Sequence, residues 1–300
     1  MRIGLLQVAL AGVLWGTGGL VVQLIRSPDH GDEPFSPLVL SSERMLLGAA
    51  AMLLVLAAGR TLTDLRVLVR RHPLAVLAVG GSTGAYQALY FVAVTQVGVA
   101  VSTMVSLGIA PVLLATWDAV RRGRPPSRVR LVTMLVALTG LALVCLAGGD
   151  SLGPHPAWGV LLSIASGTTY ALTTLIGEPL ARETRPTTLA AGSTLAGAVV
   201  LAPLLLAGLP SLGGSPLLPH SLPVAAWLLY LGVATMGLAY LALYAGLRTV
   251  PAAAATLASL LEPVTAAVLA AAVLGERLTW VAVLGCVLVL AAVGGLAVEA

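Results

Sequence analysis

The sequence predicts an all-α integral membrane protein of ten transmembrane helices, arranged as two inverted five-helix repeats. Three observations lead there: a composition too apolar for a water-facing surface, ten continuous apolar runs of spanning length, and motifs that recur between the halves.

Hydrophobic residues make up 58% of the 300-residue chain and charged residues 9%, with a mean hydropathy of +1.01. A soluble protein carries about 25% charged residues, so most of this surface must face a lipid bilayer. The net charge of +4 raises nucleic acid as a partner. The basic residues, however, sit in short loops between apolar runs, so no nucleic acid is expected. All sixteen cationic side chains are arginine. Without lysine there is no P-loop and no Schiff base to a carbonyl cofactor. Cys145 and Cys286 lie inside apolar runs without metal-ligand spacing and read as packing residues. No metal or cofactor is therefore expected. Leu5 to Ile25 is too long for a signal-peptide core and lacks a small-x-small cleavage site, so it reads as the first span.

A helix needs about 20 mostly apolar residues to cross the hydrocarbon. Ten runs qualify: 5–25, 37–59, 73–94, 98–118, 129–148, 157–177, 187–208, 223–247, 252–273 and 279–297. They are continuously apolar rather than alternating, which indicates helices and not a barrel. Pro28, Pro34, Pro73, Pro125, Pro126, Pro154, Pro186, Pro223 and Pro251 punctuate the connectors. With the N-terminus inside, Arg2, Arg60, Arg66, Arg70, Arg71, Arg121, Arg122, Arg124, Arg128, Arg130, Arg182, Arg185 and Arg248 fall on the cytoplasmic side, against Arg26 and Arg277 outside. This bias predicts cytoplasmic N- and C-termini, in a multi-pass protein of a bacterial-type inner membrane.

The halves, 1–150 and 151–300, share motifs. Tyr86-Gln-Ala-Leu-Tyr90 on span 3 recurs as Tyr240-Leu-Ala-Leu-Tyr244 on span 8. Ala110-Pro111-Val112 pairs with Glu262-Pro263-Val264, and Trp15-Gly16 falls opposite Tyr170-Ala171. Five spans per half force the second copy upside down. Inverted repeats are a transporter device, with a solute site near the midplane between the copies.

The stretch Leu261-Glu-Pro-Val-Thr-Ala-Ala-Val-Leu-Ala-Ala-Ala-Val-Leu-Gly-Glu-Arg-Leu-Thr279, followed by a glycine-bearing apolar span, resembles the signature of EamA-type transporters of the drug/metabolite transporter superfamily. Leu14-Trp15-Gly16 and the single span-2 Arg44 match the same pattern. The first half departs from it, reading Arg121-Arg122-Gly123-Arg124 where a Gly-Glu often stands. The resemblance implies a five-plus-five fold and the export of amino acids, purines, sugar-related metabolites or drugs. It implies the class and not the cargo.

Charges inside the membrane cost at least about 2.5 kcal/mol each on insertion scales, which makes them functional candidates. Glu43 and Arg44 lie toward the outer end of span 2, and Glu262 lies near the middle of span 9. Glu262 precedes Pro263, which removes a backbone donor and can open the helix. It can meet the solute there, or close a hydrogen bond to a neighbouring helix, the reading favoured by its place in the signature. Arg44 can grip a substrate carboxylate in a bidentate fork, pair with Glu43 or Glu262, or snorkel to the interface. Glu43 is a candidate for proton coupling.

Span 3 offers Tyr86, Gln87 and Tyr90 on one helical arc, suited to stacking on a planar or amphipathic solute. The arc is similar to that of the family's aromatic amino acid exporters. Trp15, Tyr170, Tyr240 and Tyr244 are expected to form the opposing wall, the alternative being interfacial belting or packing. Trp117, Trp158, Trp227, Tyr230 and Trp280 sit near span ends and read as a belt. His30, His72, His155 and His220 all fall in loops or at span edges, so no intramembrane histidine relay is expected.

These readings make the chain a monomeric secondary transporter for a small organic solute, with amino acids (aromatic ones in particular) or related metabolites as cargo. Export of cationic amphiphiles is the alternative. An intramembrane enzyme would need a catalytic pair at depth, such as His-Glu-x-x-His or Gly-x-Ser-x-Gly, and neither occurs. A non-transporting subunit would normally carry a soluble output segment, and the loops here are short.

Overall fold

A computed structural model of the chain describes residues 1–25, 37–147, 153–208, 221–275 and 277–298. Arg26, Pro28, His30, Pro34, His220 and Glu276 lie outside the described residues. All regular structure within them is helical: α1 (Arg2–Ile25), α2 (Pro37–Ala58), α3 (Leu62–Arg71), α4 (Pro73–Val97), α5 (Val99–Arg122), α6 (Arg128–Leu146), α7 (Pro156–Glu183), α8 (Pro186–Gly208), α9 (Leu222–Tyr230), a π-helical segment (Leu231–Leu238), α10 (Ala239–Leu247), α11 (Ala252–Ala258), α12 (Leu261–Leu274) and α13 (Trp280–Val298).

The sequence dictates most of these boundaries. Pro73, Pro156 and Pro186 stand at the first residue of α4, α7 and α8, where a missing N–H is no loss and φ is already helical. Ser127 and Ser221 accept hydrogen bonds from Arg130 N (3.2 Å) and Val224 N (3.4 Å) to cap α6 and α9. Gly123 (φ +62°) and Gly275 (φ +71°) end α5 and α12 in the left-handed conformation that glycine adopts without penalty.

Among the described residues, eight helices are long and apolar enough to cross a membrane, and Trp280–Leu296 is a shorter apolar helix. The 25-residue α4 packs among them. Leu6, Leu54, Leu161 and Val199 are exposed on their outer faces, as a lipid solvent requires. The protein is thus a membrane protein with multiple apolar helices.

Two readings are refined. The connector after span 2 contains α3, an amphipathic helix with Leu65 and Leu68 buried and Arg70 and Arg71 in its last turn. At ten residues it is too short to span and too arginine-rich to register as an apolar run. The run 252–273 stands as a candidate span, Ala252–Leu274, but it is interrupted within, α11 and α12 being separated at Ser259–Leu260. Pro263 has no N–H to offer the Ser259 carbonyl, which instead accepts from Glu262 N at 2.9 Å. The break therefore falls one turn before the proline.

The packing partners map onto themselves when the halves are exchanged. α1 packs on α10 and α12, as α7 packs on α4 and α5; α2 packs on the π segment as α8 packs on α4; α2 pairs with α8, and α6 with α13. Close contacts repeat the pattern. A Cβ on Gly232 would meet Gly48 N at 3.2 Å, and one on Gly80 would meet Gly197 N at 2.8 Å. Small residues at such points let helices touch backbone to backbone.

Glu178 closes one end of the bundle. Its Oε1 pairs with Arg182 at 2.6 Å, and its Oε2 accepts from Ala252 N at 2.8 Å. It thereby caps α11, whose own N-cap residue, Pro251, has no side chain able to do so. Losing a cap costs about 0.5–2 kcal/mol, and an exposed ion pair is worth less than about 1. Glu178→Ala should therefore lower the melting temperature, whereas Arg182→Gln should leave it nearly unchanged in the same scan.

Candidate functional site: a ring chain and two charges

Six aromatic side chains from α1, α4, α7 and α10 touch in one unbroken series: Tyr90, Tyr86, Tyr170, Trp15, Tyr240 and Tyr244. Successive centroid separations are 6.2, 5.3, 6.2, 5.4 and 6.0 Å. Phe91 adds a seventh ring on Tyr90, at 5.5 Å; the other six read nearly the same from either end. Trp15–Tyr170, edge on at 87°, is its centre, and the tyrosine pairs of α4 and α10 are its two arms. The Tyr-x-x-x-Tyr spacing puts each pair on one helix face, and exchange of the halves turns one arm into the other.

Two of the tyrosine hydroxyls are anchored, whereas Tyr244 OH is buried without a hydrogen-bond partner among the described residues. Tyr170 OH donates to Ser259 Oγ at 2.8 Å, at the α11–α12 break. Tyr90 OH and Thr103 Oγ1 are 2.7 Å apart. Tyr240 and Tyr244 are fully buried, whereas Tyr86, Tyr90 and Trp15 keep part of their surface open.

The π segment organises the other side. Within it the Thr235 carbonyl accepts from Trp15 Nε1 at 2.9 Å. Thr235 Oγ1 accepts from the Arg44 guanidinium at 2.9 Å, and Met236 Sδ accepts from Gln87 Nε2 at 3.1 Å. Three of the residues singled out from the sequence therefore hang on two consecutive residues of one irregular turn. Nothing in the local pattern of span 8 signalled that turn, and Thr235, Met236 and Ser259 went unnoticed because they are ordinary residues of an apolar helix.

Arg44 is buried against α1, 3.8 Å from where a Cβ on Gly18 would lie, so it does not snorkel. Among the described residues it pairs with neither Glu43 nor Glu262 within 4 Å. Glu262, in the first turn of α12, lies within electrostatic reach of Arg44, Tyr86, Tyr90 and Tyr170. A carboxylate at that position is favoured by the helix dipole. The site thus holds one guanidinium and one carboxyl group that are not in direct contact.

Arg44 Nε, Gln87 Oε1 and Glu43 Oε2 are buried without hydrogen-bond partners among the described residues. Orphaned polar groups of this kind cost about 1–3 kcal/mol each, and a bound solute is one way to satisfy them. Two acids near helix ends pair locally, Asp118 with Arg122 (3.4 Å) and Asp64 with Arg185 (3.4 Å). Trp117, Trp158 and Trp280 are exposed near helix ends. Tyr230 instead turns inward, donating to Thr17 Oγ1 at 2.9 Å. Cys145 and Cys286 are buried and form no disulfide among the described residues.

A membrane-embedded helical bundle built from two matching halves, with aromatic and charged side chains gathered between them, has the organisation of a membrane transporter rather than an enzyme. The EamA-like transporter family matches residues 2–146 and again 157–298, and the chain belongs to that family. The uncharacterized transporter YwfM of Bacillus subtilis (strain 168) is 34% identical over 201 residues, covering 67% of this chain and 64% of that relative's length. A solved crystal structure, 21% identical, superposes with a TM-score of 0.77 over 97% of this chain and 95% of its own; it shares the fold.

Proposed function

We propose that the protein is a secondary transporter exporting amino acids, aromatic ones first, or closely related zwitterionic metabolites. It works by alternating access across a bacterial-type inner membrane. In this reading α4 and α13 complete ten spans, the five-span halves are inverted, both termini are cytoplasmic, and a monomer holds the whole site. The observation that carries it is that Arg44 and Glu262, not in ion-pair contact with each other among the described residues, stand beside a chain of rings. A solute carboxylate would meet Arg44 Nε, its ammonium would meet Gln87 Oε1 and Glu262, and its ring would extend the stack on Tyr86 and Tyr90. The partly open surfaces of those two tyrosines support this pose.

Ring-on-ring contacts are worth about 0.5–1.5 kcal/mol each beyond area burial. Tyr86→Ala/Tyr90→Ala should therefore weaken binding of an aromatic amino acid by roughly tenfold or more. A thermal-shift titration of detergent-solubilised protein reads this out: phenylalanine, tyrosine or tryptophan raises the melting temperature of the wild type and not of the variant. If amphipathic cations shift both proteins equally while amino acids shift neither, the reading fails and a multidrug role replaces it.

A further inference from the structure

At the end of the bundle where α1 and α8 begin and α7 and α10 finish, a pocket of about 810 Å³ opens to the surface. Arg2, Arg182 and Arg248 line it from three separate parts of the chain, with Gln7 and Thr249 between them. Arg182 is held by Glu178. Arg2 and Arg248 are exposed and meet no acid within ion-pairing distance among the described residues. The transport reading uses none of these groups.

One wall of the pocket is apolar and leads out of it. Ile3 lines the pocket and is 74% exposed. Leu6, Leu10 and Val13 follow on the same face of α1, exposed by 70%, 51% and 38%. Their spacing of three, four and three residues makes a single stripe. At 1.5 Å per residue it climbs about 15 Å, roughly one leaflet's share of the hydrocarbon. The arginines thus stand at headgroup level, and the stripe rises from them into the acyl region.

We infer that this pocket binds an anionic phospholipid, the phosphate held by Arg2 and Arg248 and one acyl chain laid along Ile3, Leu6 and Leu10. A phosphate oxygen supplies the acceptors that the two unpaired guanidinium groups lack. The N-termini of α1 and α8 point at the same space and add positive potential. A zwitterionic lipid would bring its own cation into a site that already holds three. A free phosphate would gain the charge but leave the apolar stripe unused. The inference rests on the proposed topology only for which leaflet supplies the lipid.

Native mass spectrometry of the purified protein tests it without any transport assay, so its outcome is independent of the solute. The probes are phosphatidylglycerol and phosphatidylcholine with the same acyl chains, and inorganic phosphate as competitor. The wild type is expected to retain one phosphatidylglycerol in preference to phosphatidylcholine. An arginine near an anionic surface contributes about a fivefold factor in binding, so Arg2→Gln/Arg248→Gln should weaken retention by roughly 25-fold. Arg66→Gln/Arg70→Gln on α3 removes two arginines that do not line the pocket and should leave retention unchanged. Equal loss in both double variants, or equal retention of the two lipids, overturns the inference. Displacement of the lipid by millimolar inorganic phosphate makes this a free-phosphate site and overturns the lipid assignment.

Discussion

Arg44→Gln is expected to weaken binding of a carboxylate-bearing solute by about 10- to 100-fold while leaving the melting temperature of the unliganded protein unchanged or higher. Hydrogen bonds to charged groups contribute about 1.5–3 kcal/mol, the source of the binding loss. The stability expectation follows from burial. Among the described residues Arg44 has one hydrogen bond, to Thr235, an orphaned Nε and no ion pair within 4 Å, so the folded protein bears the desolvation of its charge with little return. Neutralising such a group is often neutral or stabilising. Thr235 keeps its bond to the Leu231 carbonyl, so the π segment does not depend on the arginine. Arg44→Lys preserves the charge but not the planar fork, and should recover only part of the affinity. A solute whose carboxylate is replaced by an amide should bind wild type and Arg44→Gln alike. A purely structural arginine would instead show a fall in melting temperature that does not depend on the solute.

Gly140→Val is expected to be strongly destabilising. A Cβ on Gly140 would lie 2.7 Å from the Gly285 carbonyl oxygen and 2.9 Å from Val289 N; a Cβ on Gly285 would lie 2.7 Å from the Gly140 oxygen. These are backbone atoms, which cannot swing aside, so α6 and α13 must separate along their length. Over-packing of this kind costs about 1–3 kcal/mol, with valine above alanine. Gly294 on the same α13 has nothing within 4 Å of its Cβ position. Gly294→Ala should therefore be neutral or slightly stabilising, because alanine has the better helix propensity by about 1 kcal/mol. Thermal unfolding of the two variants separates a close helix contact from a general intolerance of side chains. The contact is reciprocal because spans 5 and 10 are each other's counterparts under exchange of the halves.

Much of this architecture is legible in the sequence because membrane helices are local objects. Apolar run length gives the helices, proline gives their starts, and the Tyr-x-x-x-Tyr and Glu-Pro-Val echoes relate the halves. The aromatic residues chosen from sequence all enter the ring chain, since a polar-tipped ring deep in an apolar run has few places to go but inward. What the sequence concealed depends on distant contacts. Trp15 reaches a carbonyl 220 residues away, inside the π segment of span 8. Arg44 could be read as the partner of Glu262 from composition alone, yet Gly18 and Thr235 hold it elsewhere. The asymmetry between the halves was equally hidden. Gly48 and Gly197 occupy equivalent contacts, so Ser193, four residues before Gly197, is the counterpart of Arg44, and only one half brings the charge. Likewise Pro111 leaves α5 continuous, whereas Pro263 accompanies a break.

The measurement that bears most directly on the proposed role is counterflow of a labelled aromatic amino acid in proteoliposomes. Vesicles preloaded with unlabelled tryptophan should accumulate labelled tryptophan saturably when they contain wild-type protein. Those containing Arg44→Gln or Tyr86→Ala/Tyr90→Ala, reconstituted to the same density, should accumulate little more than empty vesicles. Accumulation equal in all three proteins, or none with any amino acid while a labelled amphipathic cation exchanges freely, would contradict the account.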